Sequence, residues 1–81
     1  MPERRTYDII ARYFDMAEGG WVERKTTVEN ASYESAGREM SKIARMLDER
    51  YADTATWRVD LYNPEKPEYG SYYQLFHGRL S

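Results

Sequence analysis

Eighty-one residues, 41% hydrophobic and 15% aromatic, suffice for one small domain with a single core and leave no room for a second. Twelve basic and fourteen acidic side chains give a net charge of −2, which argues against a strongly basic nucleic-acid binder and equally against a wholly acidic mimic of nucleic acid. The lack of cysteine excludes disulfides, thiolate metal sites and cysteine nucleophiles; with no apolar window of membrane-spanning length and no apolar run behind Met1-Pro2-Glu3-Arg4-Arg5, the expectation is a soluble, cytoplasmic chain.

The first predicted strand covers residues 6–15, where Tyr7, Ile9, Ala11 and Tyr13 alternate with Asp8, Ile10, Arg12 and Phe14. The first set is expected to face the core. Met16 to Gly20 reads as a turn, because the paired glycines accept positive φ at little cost. A second strand over residues 21–29 places Val22, Thr26 and Val28 on one side. Trp21, Glu23, Lys25 and Thr27 lie on the other, a pattern suited to an edge strand whose charges discourage stray pairing.

The segment with sustained helical periodicity is 33–51. Tyr33, Ala36, Met40, Ile43, Ala44, Leu47 and Tyr51 recur at three-and-four spacing and form one stripe. Ser32 is the expected N-cap, and Glu34 falls where the helix dipole favours negative charge. Gly37 beside this stripe is expected to mark a close contact with the sheet, since otherwise it costs about 1 kcal/mol relative to alanine. Asp48, Glu49 and Asp53 make the helix exit acidic.

Residues 56–62 form the clearest strand, with Trp57, Val59 and Leu61 on one side and Arg58, Asp60 and Tyr62 on the other. Two prolines in Asn63-Pro64-Glu65-Lys66-Pro67-Glu68 require a loop. A last strand over 71–77 is expected to point Tyr73 and Leu75 inward and Tyr72, Gln74 and Phe76 outward. The sum is an α+β fold of order β-β-α-β-β, a four-stranded, mainly antiparallel sheet with one helix packed on one face. The sheet order expected from the crossover is 2-1-3-4.

One helix covers one sheet face. The reverse face is expected to carry Ile10, Arg12, Phe14, Trp21, Arg58, Asp60, Tyr62, Tyr72 and Phe76, and a large exposed apolar patch of that kind marks an interface. A homodimer closed sheet to sheet would also cover it. No catalytic constellation is visible. His77 is the sole histidine and has no serine or cysteine nucleophile in an elbow or triad setting, there is no phosphate-binding glycine loop, and no carboxylate spacing suits a calcium loop. A non-enzymatic chain without metal or cofactor is therefore expected. The rival reading is a small nucleic-acid-binding protein that uses Arg12, Arg24, Lys25 and neighbouring aromatics as a basic stacking platform.

A cysteine-free hairpin-helix-hairpin of this size, rich in charge and tyrosine, resembles the small phage and mobile-element inhibitors known as anti-CRISPR proteins. The likeness lies in size and element order; that group shares no motif. It implies an inhibitor in the host-cell cytoplasm that binds a CRISPR effector complex and blocks DNA recognition or nuclease recruitment. Inhibitors of that kind often oppose basic nucleic-acid channels with acidic side chains, which here points to Glu39, Asp48, Glu49 and Asp53 beside the sheet residues Arg12, Phe14, Arg58, Asp60, Tyr62 and Tyr72.

Overall fold

Alternating apolar side chains and a glycine turn generate the first hairpin. In the computed structural model, which describes residues 4–51 and 57–76, β1 (Arg5–Asp15) pairs antiparallel with β2 (Gly20–Ala31). Asp15 Oδ1 accepts from the amides of Ala17 and Glu18 at 2.8 and 3.3 Å, and Gly19 closes the turn at φ 83°, a conformation costly for a residue with a Cβ. β2 runs beyond Glu29 to Ala31. Asn30 adopts φ 52° there, beside an irregularity in the pairing with Arg5 and Tyr7.

Helix α1 spans Tyr33–Arg50. The Ser32 hydroxyl accepts from the Ser35 amide at 3.1 Å, and Ser35 Oγ accepts from the Ser32 amide at 3.0 Å, a reciprocal cap in which serine replaces the usual glutamate or glutamine. The helix ends as the Tyr51 amide donates to the Leu47 carbonyl at 2.8 Å. Ala36, Met40, Ala44 and Leu47 form its buried stripe.

After the helix come β3 (Trp57–Tyr62), a 3-10 turn at Pro67–Tyr69 and β4 (Ser71–Phe76). The sheet order is β2-β1-β3-β4, every neighbour antiparallel, so the helix crosses over β1 to carry the chain from β2 to β3. The register sets Ile9 against Leu61, Ala11 against Val59, Tyr13 against Trp57 and Val59 against Leu75. These residues join the helix stripe, Tyr7 and Ala31 in a single core. Each large apolar side chain removed from water there contributes about 1.5–3 kcal/mol. The helix rests most heavily on β3 and next on β1, with lighter contact to β2 and β4, so both outer strands are only partly covered on the helix side.

Two expectations fail in the fold. Gly37 is not a close contact: a Cβ built on it would meet nothing within 4 Å, and it lines an open groove of about 310 Å³ with Tyr33, Arg38, Ser41, Leu61 and Tyr73. The alanines at 36 and 44, both fully buried, provide the close approach instead. Tyr72 does not take its expected place on the outer sheet face. The β3–β4 pairing jumps from Leu61–Tyr73 to Tyr62–Ser71, which leaves Tyr72 as the extra residue of a bulge. It packs against the core, and its hydroxyl accepts from Asn63 Nδ2 at 3.4 Å.

Candidate protein-binding face

The register arranges the sheet face away from α1 as a grid. Phe14 lies beside Trp21; the next row runs Glu23, Arg12, Arg58, Phe76; the next Lys25, Ile10, Asp60, Gln74; the last Thr27, Asp8, Tyr62, Ser71. Arg12 and Arg58 are therefore direct cross-strand neighbours, an arrangement that is repulsive unless an anion bridges it.

Asp60 is that bridge. Although no helix among the described residues covers this side, its side chain is wholly inaccessible. Oδ2 accepts from Arg58 Nε at 2.9 Å and Arg12 Nη1 at 3.4 Å, and Oδ1 from Gln74 Nε2 at 2.9 Å and Ser71 Oγ at 3.0 Å. Donors from three strands thus satisfy both oxygens, as a buried carboxylate requires. Arg12 also donates from Nε to Glu23 at 2.8 Å. Hydrogen bonding to Tyr62 and Glu23 holds the Arg12 guanidinium above its ordinary pKa range, against the opposing effect of its desolvation.

Aromatic side chains surround this polar centre. Phe14 and Trp21 meet edge to face with centroids 5.8 Å apart, Trp21 being 64% exposed, and Phe76 at the far edge is 43% exposed. Ile10, Phe14 and Tyr62 are half-buried. The face is thus not the continuous apolar patch anticipated from the strand pattern. It is a charged lattice with exposed rings at two corners.

The expected site residues divide between opposite sides of the molecule. Arg12, Phe14, Arg58, Asp60 and Tyr62 come together on this face, but Asp60 lies beneath the arginines and reaches no partner directly. Tyr72 is in the bulge. Glu39, Asp48 and Glu49 belong to the helix on the other side of the sheet: Glu39 pairs with Lys42 at 3.1 Å, Asp48 accepts from the Trp57 indole at 3.3 Å, and Glu49 is exposed. Asp53 and His77 lie outside the described residues. The basic set suggested for nucleic acid is split too, since Arg24, opposite Ala11, faces the helix side while Arg12 and Lys25 face away.

Ser71, Gln74 and Glu23 were not anticipated as partners of this centre. The available signal was Asp60 itself, a residue type depleted in strands, placed in the middle of the clearest strand of the chain. Among the described residues, no helix is long and apolar enough to cross a membrane, and no three acidic or histidine side chains are grouped to hold a metal ion. Fold and site define a small α+β domain with an uncovered, charge-ordered sheet face. Comparison with protein-family models, curated proteins and solved structures found no match to this chain.

Proposed function

We propose that this chain is a non-enzymatic inhibitor that binds another protein through the sheet face opposite α1. The proposed partner is a CRISPR effector complex, and the proposed effect is to block DNA recognition or nuclease recruitment. The observation that carries the reading is Asp60, a fully buried carboxylate that fixes Arg12 and Arg58 on an otherwise open face. Arginine and large aromatics dominate the energetics of protein interfaces, and side chains already held in place lose less entropy on binding. The choice of partner rests on the resemblance in size and element order. Commitment of both arginines to carboxylates weakens the nucleic-acid reading, because phosphate would have to compete with Asp60 and Glu23.

The test is capture of purified CRISPR effector complexes by the immobilised chain. Wild type is expected to retain at least one complex, Trp21→Ala and Arg58→Ala to lose it by tenfold or more in affinity, and the helix-side Glu49→Lys to keep it. Capture that survives both face variants, or no capture of any complex, rejects the proposal. Tight binding to bare DNA or RNA that falls steeply with salt favours the nucleic-acid reading instead.

A further inference from the structure

The two outer edges of the sheet are built differently. β4 is six residues long and carries the bulge at Tyr72, both of which protect an edge from pairing. β2 is twelve residues long, contains no proline, and pairs regularly with β1 from Gly20 to Val28; its charges, which discourage stray pairing, are of both signs and leave a self-complementary register open. Among the described residues its outer backbone edge has no neighbouring strand, and most of its residues are exposed.

Its charges follow a pattern. Glu23 is bound by Arg12, and Arg24 lies on the helix side in a groove it lines with Tyr13. Lys25 and Glu29 have no ion pair or side-chain hydrogen bond among the described residues. Alternation places them on the face away from the helix, with Thr27 between them. Two such strands laid antiparallel about a two-fold axis through Thr27 oppose Lys25 to Glu29 twice, Thr26 to Val28 twice, and Thr27 to itself. All five pairs lie before the irregular backbone at Asn30. Moving the axis to Thr26 would set Glu23 against Glu29, a like-charge pair.

We propose that the β2 edge is a self-association surface, where a second copy of this chain pairs with β2 in the Thr27-centred register to form a continuous eight-stranded sheet. Opposite residues across such a pair lie about 5 Å apart at Cβ, within reach of a lysine–glutamate contact. The axis stands perpendicular to the sheet and puts both helices on one side. They do not collide, because α1 sits over β1 and β3 and two β2 strands intervene. The interface is isologous and uses one edge per copy, so it closes as a dimer rather than a fibre. This stands independently of the partner proposed above.

Sedimentation equilibrium over a wide concentration range tests it. Wild type is expected to dimerise reversibly. Lys25→Glu alone and Glu29→Lys alone each place two like pairs across the axis and should weaken the dimer at least tenfold. Mixed in equal amounts, the two variants restore both opposite-charge pairs and should associate as well as wild type. Circular dichroism checks that each variant is folded. A wild type that stays monomeric at millimolar concentration overturns the proposal. So does a dimer unaffected by either reversal, or one lost on reversal but not restored by mixing.

Discussion

Replacing Asp60 with alanine tests whether the open face is held together by its buried carboxylate. Four side-chain donors converge on Asp60, two of them cationic, and removal leaves Arg12 and Arg58 opposed across adjacent strands without a bridge. A hydrogen bond to a charged group contributes about 1.5–3 kcal/mol. Removing one partner of a fully buried ion pair costs about 3–5 kcal/mol, because the other is stranded. Here the arginines are not stranded, since their side chains are 40% and 52% exposed and water can take the place of the carboxylate. The expected loss is therefore near the lower figure, about 2–3 kcal/mol in total. For a domain of this size that lowers the thermal midpoint by about 10–20 °C. The assay is thermal unfolding by circular dichroism, run with Asp60→Ala, Arg58→Met and the double variant. The two substitutions should be less than additive, because Arg58 loses its main partner with Asp60. A midpoint shift below about 3 °C for Asp60→Ala, or strict additivity, would refute the bridging role.

Three further outcomes follow from local geometry. Gly37→Ala introduces a Cβ into open space on the helix and should stabilise the chain by about 0.5–1 kcal/mol in chemical denaturation; destabilisation would show that the groove beside it is closed in solution. Ser32→Ala removes the hydroxyl that accepts from the Ser35 amide, while the amide at position 32 keeps its bond to Ser35 Oγ, and should cost about 1 kcal/mol in the same assay, with no effect expected if the helix start is frayed. The Tyr51 hydroxyl donates to Asp15 Oδ2 at 2.7 Å, a bond that is the main cause lowering the Asp15 pKa and raising that of Tyr51. Asp15, depressed in the fold, stabilises above its unfolded pKa of about 4 and loses that contribution as pH falls through its folded value. Tyr51, raised in the fold, stabilises below its unfolded pKa of about 10 and loses that contribution as pH rises through its folded value. Tyr51→Phe should therefore lower the midpoint most near neutral pH and flatten both limbs of the stability profile; a profile parallel to wild type would contradict the bond.

The fold was readable because periodicity and punctuation agreed along the chain. Period-two alternation in 6–15 and 56–62, the Gly19-Gly20 turn and the Ser32 cap mark the first hairpin, the helix start and the central strands. The expected sheet order matches because the crossover makes strands two and three parallel in direction, which lets strand three lie antiparallel beside strand one. Neither the role of Gly37 nor the place of Tyr72 was readable. A glycine beside a buried stripe has the same local pattern whether it admits a strand or leaves a groove, and a one-residue bulge changes the direction of a side chain without altering composition. Alternation assigned Arg12, Phe14, Arg58, Asp60 and Tyr62 to one face correctly, because it encodes direction. It could not show that Asp60 lies under the arginines, since that depends on Ser71 and Gln74 arriving from β4 in a register set by long-range pairing.

The central claim is that the face opposite the helix is where this chain meets its partner. Oxidative footprinting of the chain alone and bound to a captured CRISPR effector complex compares the two sides directly, because exposed reporters stand on both: Trp21 and Phe76 on the open face, Met46 and Tyr33 on the helix side. Protection of Trp21 and Phe76 with Met46 and Tyr33 unchanged is the predicted result. Protection of Met46 and Tyr33 while Trp21 and Phe76 stay reactive would contradict it.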